Sequence, residues 1–130
     1  MASFGYHVGM AFQIQDDILD LTGDEATLGK PIGGDIREGK VTLPILYALQ
    51  DAAPEDRDVL LRFYQSAATL GREEIHCAVR ITERAGGVDR ARGRARQFLQ
   101  QARRELERIP ESPARMQLAA LSDQIVDRRR

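Results

Sequence analysis

Three aspartates, Asp16, Asp17 and Asp20, form a DDxxD cluster within residues 12–20, which read FQIQDDILD. At about 100° per residue in an α-helix, these aspartates and Gln13 fall within one arc of roughly 100°, and apolar side chains occupy most of the rest. Carboxylates three or four residues apart on a helix repel each other, and the helix dipole disfavours anions near the C-terminus. A bound cation would relieve both effects, and Mg²⁺ binds through carboxylate, water and phosphate oxygens. The alternative is a solvated acidic stripe.

The segment that follows the cluster has the composition of a long loop. Residues 22–40 contain five glycines and one proline, which favour turns, and long ordered loops in compact domains are often functional. Lys30, Arg37 and Lys40 are the only lysines or arginines among the first 50 residues. Lysines close to metal-binding carboxylates are suited to a diphosphate group. The alternative is that these cations only neutralise nearby acids.

The order of these motifs resembles that of the trans-isoprenyl (polyprenyl) diphosphate synthases, in the C-terminal half that carries the second aspartate-rich motif. The resemblance is close over residues 5–50 and looser over residues 75–107, where a Gly-Gly break precedes a long alanine-rich helix. It rests on the following ordered strings: Phe12-Gln13-x-x-Asp16-Asp17-x-x-Asp20, Gly23-Asp24, Leu28-Gly29-Lys30-Pro31, Gly33-x-Asp35 and Gly39-Lys40-x-Thr42-Leu43-Pro44.

The resemblance implies a metal site. In that family, two aspartate-rich motifs face each other across a helical bundle and hold Mg²⁺ ions, which bind the diphosphate of an allylic substrate. Asp16 would be a direct ligand of one Mg²⁺, and Asp17 and Asp20 would complete the motif directly or through water. Asp35 matches an aspartate that helps to hold the water shell of the metal.

The resemblance also implies a catalytic role for two lysines. Lys30 and Lys40 match lysines that bind the allylic diphosphate, and Gln13 matches a glutamine beside them. Ionisation of the allylic diphosphate gives a cation, which isopentenyl diphosphate attacks to lengthen the chain. Because the leaving diphosphate gains charge as its C–O bond breaks, cations directed at it stabilise the transition state more than the ground state.

Only one of the two expected aspartate-rich motifs occurs in these 130 residues. The pairs Asp56/Asp58 and Asp123/Asp127 lack the DDxxD spacing. We therefore expect a fragment of a longer synthase, or a subunit completed by a partner chain, that supplies half of the site and is inactive alone. Association is also expected, either as a homo-oligomer or with a complementary N-terminal or partner chain. Product chain length cannot be inferred, because the residues that set it in this family lie further upstream.

Two other functions are considered. The first is a non-catalytic helical subunit or interaction module of a heteromeric synthase. The second is a terpene cyclase-like protein, which would also use DDxxD. Cyclases pair that motif with a downstream Asn/Asp–Ser/Thr–Glu metal motif, which we do not find after Asp20.

Composition narrows the remaining possibilities. The net charge is −1. The arginines of the second half are mixed with acidic residues, and few aromatic residues lie among them, which argues against a nucleic-acid surface. The single Cys77 excludes an internal disulfide and favours a reducing, cytoplasmic location. We find no signal peptide and no apolar run of about 18 residues that would predict a membrane span.

The pattern of apolar residues predicts an all-α fold, with residues 1–130 forming a single helical domain. By resemblance, this helical bundle corresponds to the C-terminal part of the isoprenoid synthase fold. Thr42 and Ser112 are candidate helix N-caps, and Leu118, Leu121 and Ile125 form the apolar stripe of the last helix. The final three arginines are expected to be a solvated end. The predicted helices cover residues 3–22, 42–53, 54–68, 72–85, 88–109 and 113–127.

Overall fold

The computed structural model describes residues 2–127, and the side chains up to residue 124. This part of the chain is helical and contains no strand, which confirms the predicted all-α class. A short 3₁₀ turn, Ala67–Thr69, follows the fifth helix. The helices are α1 (Ala2–Thr22), α2 (Glu25–Leu28), α3 (Gly34–Arg37), α4 (Leu43–Asp51), α5 (Pro54–Gln65), α6 (Arg72–Arg84), α7 (Gly87–Glu107) and α8 (Pro113–Asp127).

Most predicted helix ends agree with the structure, and the exceptions have local causes. Helix α4 ends at Asp51 because Ala52 is extended, with a ψ of 154°. Ala53 is also extended and precedes Pro54, a position where the α conformation is sterically disfavoured. Thr42 flanks α4 as expected but makes no side-chain capping bond. Ser112 does cap α8, since its hydroxyl accepts a hydrogen bond from the Arg115 amide at 3.1 Å.

Residues 22–40 were predicted as a loop, but the connecting segment, residues 23–42, contains the two one-turn helices α2 and α3. Helix α2 begins because the Asp24 carboxylate accepts a hydrogen bond from the Ala26 amide at 3.1 Å. It ends at Gly29, which adopts the left-handed conformation with a φ of +72°. The glycines of this segment suggested irregular backbone, whereas at this position a glycine marks the end of a helical turn.

Contacts within the chain define two compact units. The first comprises residues up to 16 together with those from 92 onward, and the second comprises residues 17–91. The long helices α1 and α7 contribute residues to both. The predicted single domain over residues 1–130 stays a prediction.

In the first unit, α1, α7 and α8 supply the core. Phe4, Ala102 and Leu106 are buried together, and Leu118 packs against them. Leu121, a member of the predicted apolar stripe of α8, is 51% exposed and so lies outside the core. The side chain of Ile125 lies outside the described residues, as do the final three arginines.

In the second unit, α4, α5 and α6 pack against one another. Ile45, Leu60 and Ile75, one from each helix, are completely buried. Ile36 of α3 is also completely buried, so the connecting segment is held by an apolar side chain as well as by hydrogen bonds. At Gly33 the φ is +80°, and a Cβ atom there would lie 2.2 Å from the Ile75 side chain. The close approach of α3 to α6 therefore requires glycine at this position.

Within residues 2–127, no helix combines the length and the apolar character that a bilayer crossing requires.

Candidate functional site

The third aspartate of the DDxxD cluster binds the start of α3. The Asp20 carboxylate accepts hydrogen bonds from the Gly34 amide (3.2 Å, to Oδ1) and the Asp35 amide (3.1 Å, to Oδ2). The Asp20 carbonyl oxygen accepts a third bond, from the Gly33 amide at 2.7 Å. Amides in the first turn of a helix have no partner within that helix, so a carboxylate placed there satisfies them and is favoured by the helix dipole. Asp20 thus joins the end of α1 to the connecting segment.

These hydrogen bonds do not fully compensate the charge of Asp20. The residue is only 7% exposed. Burial raises the pKa of its carboxyl above the ordinary value; the Asp35 carboxylate adds to the rise, and the α3 amides and Lys30 oppose it. A carboxyl whose folded-state pKa is raised binds more protons when folded, so its contribution to stability falls as the pH rises through that pKa. A cation near Asp20 would lower the free-energy cost of burying the charged carboxylate.

Lys40 is held beside Asp35 by contacts of its backbone. The Lys40 amide donates to the Asp35 carbonyl oxygen at 2.9 Å, and the Lys40 carbonyl oxygen accepts a hydrogen bond from the Tyr64 hydroxyl at 2.9 Å. The Lys40 amine lies 4.0 Å from the Asp35 carboxylate, and the Lys40 side chain is 53% exposed. The backbone of Lys40 is therefore fixed while its amine remains accessible to an anion.

Tyr64 is suited to this role because its phenol stays protonated. Burial raises the pKa of the Tyr64 hydroxyl above its ordinary value, and the carboxylates of Asp35 and Asp20 raise it further. A negatively charged phenolate is disfavoured both in a desolvated position and beside two acids. The hydroxyl therefore remains a hydrogen-bond donor throughout the neutral range.

A second set of contacts holds the part of the segment that carries Lys30. The Glu25 carboxylate accepts hydrogen bonds from the Ile32 amide at 3.0 Å and from the Arg72 guanidinium at 2.6 Å. Lys30 lies between Glu25 and Ile32 in the sequence, is exposed, and acts electrostatically on Asp20. Both lysines of the chain therefore lie on backbone that is fixed by neighbouring side chains.

The remaining predicted residues lie further up α1. Asp17 is buried, with 8% exposure, Asp16 is half-buried and Gln13 is exposed. Gln13 and Asp16 fall within the first unit, whereas Asp17 falls within the second. The structure thus brings together Asp20, Asp35 and Lys40, with Lys30 in electrostatic range, and it places the other three on the preceding turns of one helix.

In the part of the chain that the structure describes, no three His, Cys, Asp or Glu side chains converge closely enough to hold a metal ion by themselves. Mg²⁺ does not need such a set, because it is commonly bound by one or two carboxylates while water and substrate phosphates fill its other positions. The donors present are hard carboxylate oxygens, one of them on a buried aspartate with a raised pKa. They fit Mg²⁺ supplied with further oxygen ligands.

Sequence reasoning missed three residues that position the connecting segment, namely Glu25, Tyr64 and Arg72. Tyr64 and Lys40 are 24 residues apart, and Arg72 and Glu25 are 47 residues apart. No local pattern at positions 64 and 72 indicates these contacts, since they arise only when α5 and α6 fold back on the segment. The only available signal was Asp24-Glu25, which has the composition of a helix start.

Comparison with known proteins agrees with the motifs and the fold. Residues 1–82 match the Polyprenyl synthetase family. The chain belongs to this family. It is 42% identical over 125 residues to the all-trans-nonaprenyl-diphosphate synthase (geranyl-diphosphate specific) of Rhodobacter capsulatus, a match that covers 96% of this chain and 38% of the relative. It is 38% identical over 126 residues to heptaprenyl diphosphate synthase component 2 of Bacillus subtilis, which covers 97% of this chain and 35% of that protein.

A solved structure gives the same result at the level of the fold. The geranylgeranyl pyrophosphate synthase of Corynebacterium glutamicum, determined with isoprenyl diphosphate and magnesium, superimposes with a TM-score of 0.87 and 31% sequence identity. The match covers 98% of this chain and 36% of that one. The predicted correspondence to the C-terminal part of the isoprenoid synthase fold is confirmed, and the chain spans little more than a third of the length of these relatives.

Replacement of Tyr64 by Phe tests the contact that fixes Lys40. Loss of the hydroxyl leaves the Lys40 carbonyl oxygen without its donor, and we expect the free energy of unfolding to fall by about 1 kcal/mol. Amide chemical shifts of Lys40 and Val41 should change as well. The measurements are urea-induced unfolding and two-dimensional amide NMR.

Tyr47→Phe is the matched control, because Tyr47 contacts the Arg90 guanidinium through its ring rather than its hydroxyl. Each variant loses one phenolic hydroxyl group. Equal effects of both on stability and on the Lys40 amide would contradict the role assigned to Tyr64.

Proposed function

We propose that this chain takes part in Mg²⁺-dependent prenyl transfer in isoprenoid biosynthesis, in which an allylic diphosphate is condensed with isopentenyl diphosphate. The observation that carries the proposal is the contact of Asp20, Asp35 and Lys40, with Lys30 in electrostatic range of Asp20. The buried carboxylate of Asp20, the half-buried one of Asp35 and the accessible amines suit a substrate that is itself a polyanion and is bound with a metal. The relatives, which are prenyl diphosphate synthases by name, support this substrate class.

In this proposal, the amines of Lys30 and Lys40 bind the diphosphate of the allylic substrate, with Gln13 beside them. They are the catalytic residues of this chain, because their charges are directed at the group that becomes more negative as the allylic C–O bond breaks. Their fixed backbone lowers the reorganisation required at that moment. An exposed lysine on an unanchored loop would lose more side-chain and backbone freedom on binding.

The proposed metal ligands are Asp16, Asp17, Asp20 and Asp35, which bind Mg²⁺ directly or through water. When bound, Mg²⁺ supplies positive charge to the diphosphate oxygens and so favours the leaving group. Asp20 can serve the metal while it caps α3, because a carboxylate accepts about four hydrogen bonds or equivalent contacts and the α3 amides occupy two. Asp35 lies against both Asp20 and Lys40 and can orient metal-bound water.

We further propose that this chain supplies only the second aspartate-rich half of the site. The sequence carries one DDxxD cluster, and the chain covers 38% of the Rhodobacter relative. The complementary motif would come from an N-terminal or partner chain. The predicted homo-oligomer and the cytoplasmic location stay predictions.

A second candidate is a non-catalytic helical subunit of a heteromeric synthase. The similarity to a protein named component 2 of heptaprenyl diphosphate synthase supports the heteromeric part of this candidate, since that name implies an enzyme of more than one component. No observation favours a terpene cyclase.

If Lys40 binds the diphosphate, Lys40→Ala should weaken Mg²⁺-dependent binding of inorganic diphosphate by about tenfold, which is the effect of losing one charge-assisted hydrogen bond. Asp16→Ala should reduce the part of the affinity that depends on Mg²⁺. Isothermal titration calorimetry with and without Mg²⁺ measures both.

Arg37→Ala removes the third cation of the same segment and is the control. It should change the affinity far less than Lys40→Ala does. If the two variants bound diphosphate equally, the assignment of Lys40 would be wrong.

Prenyl transfer itself is tested by incubating the chain with labelled isopentenyl diphosphate, an allylic diphosphate and Mg²⁺. We expect essentially no product from the purified 130-residue chain, and turnover once a chain that carries the first aspartate-rich motif is added. Turnover by the chain alone at a normal synthase rate would refute the half-site proposal. Absence of turnover with every such partner, with diphosphate binding intact, would favour the non-catalytic subunit.

A further inference from the structure

A polar cleft lies along α6 in the second unit, and the proposed function makes no use of it. The cleft has a volume of about 360 Å³ and is lined by Arg72, Glu73, His76 and Arg80. An adjoining cleft of about 250 Å³ shares His76 and Arg80 and extends to Gly23 at the end of α1. The cationic side chains therefore border a space large enough for a small ligand.

His76, which lines this cleft, carries an unsatisfied polar atom. Its Nε2 atom is buried and has no hydrogen-bond partner among the described residues. A buried polar atom without a partner is uncommon in folded proteins and costs free energy, so a residue that lines a cleft and carries such an atom is a candidate ligand-binding group. In the tautomer that carries the proton on Nε2, His76 can donate a hydrogen bond.

Two guanidinium groups flank this imidazole. Arg72, His76 and Arg80 are spaced by four residues, which places them on one face of α6 at intervals of about 6 Å along its axis. Arg80 is exposed and makes no hydrogen bond or ion pair within residues 2–127 of the structure. Donors on three successive turns can surround a tetrahedral anion.

Arg72 is already oriented by a neighbour. One of its terminal nitrogens donates to Glu25 at 2.6 Å, and a guanidinium has five N–H donors in a fixed planar arrangement. The remaining donors can bind an anion, and the contact with Glu25 reduces the side-chain freedom that binding would remove. Glu73 lines this cleft, and Glu83 lines the adjoining one. Because Glu25 pairs with Arg72, Arg80 is the guanidinium of this set that has no carboxylate partner among residues 2–127.

We propose that the cleft binds an oxyanion of the phosphate class, such as inorganic phosphate or diphosphate, through Arg72, His76 and Arg80. A guanidinium matches the geometry of two phosphate oxygens, and the unsatisfied imidazole nitrogen donates to a third. None of these three residues belongs to the set proposed for prenyl transfer. The binding therefore does not depend on the proposed function.

The chain has two histidines, so its imidazole signals report the site directly. Phosphate and, separately, diphosphate are titrated into the 130-residue chain without divalent cations, at fixed pH and at ionic strength matched with chloride. We expect the ring signals of His76 to shift and saturate. The ring signals of His7, whose Nδ1 atom lies 2.5 Å from the Glu105 carboxylate, are followed in parallel and report any anion bound in the first unit, where His7 lines a cleft with Arg94 and Arg104.

Arg80→Ala should weaken the saturating shift of His76 by about tenfold or more, as expected for one charge-assisted contact. Arg80 makes no contact that the fold requires, so this variant should remain folded. Arg62→Ala removes an exposed arginine of α5 that does not line the cleft, and it should leave the affinity unchanged. Binding should also survive in the Lys30→Ala/Lys40→Ala variant, which separates it from diphosphate bound at the proposed prenyl-transfer residues.

A His76 signal that does not saturate with either anion would overturn the proposal. Equal weakening by Arg80→Ala and Arg62→Ala would overturn it too, because it would show a general effect of charge. Loss of the His76 shift in the lysine variant would assign the binding to the connecting segment instead.

Discussion

The bond between the Asp20 carboxylate and the first amides of α3 is the interaction on which the rest of the candidate site depends. It joins residues that are 14 and 15 positions apart in the sequence and fixes where the connecting segment leaves α1. Asp35 is placed by this bond, Lys40 is placed by Asp35, and Tyr64 holds Lys40 from the other side. The positions of the candidate binding groups thus follow from one carboxylate that is itself part of the acidic motif.

This arrangement explains how three clustered acids can be accommodated near the end of a helix. Asp20 is compensated in part by the positive end of α3, which faces it, and by Lys30. The compensation is incomplete, because burial still raises its pKa. In the proposed function, a metal would supply the remaining positive charge and a diphosphate further oxygen ligands, so that Asp20 would serve both the fold and the chemistry.

The sequence was sufficient for those elements that are determined locally. The periodic apolar residues, Pro54, Ser112 and the Gly86-Gly87 pair predicted most helix bounds. Of the predicted site residues, the structure brings together Asp20, Asp35 and Lys40, and the roles assigned to them stay predictions. Contacts between distant positions could not be predicted, as with Glu25 and Arg72. Periodicity alone placed Leu121 on the apolar stripe of α8, but burial depends on which neighbouring element covers that face, and Leu121 is 51% exposed. The helical turns of the connecting segment were missed because glycine signals a turn and a helix end equally well.

The most direct test of the central claim is amide hydrogen exchange of Gly34 and Asp35 in the intact chain and in the Asp20→Ala variant. Asp24→Ala is the matched control, since Asp24 caps α2 through the Ala26 amide. The account predicts that Asp20→Ala abolishes the protection of Gly34 and Asp35, and that Asp24→Ala leaves both protected while exposing Ala26. Unchanged protection of Gly34 and Asp35 in Asp20→Ala would contradict it.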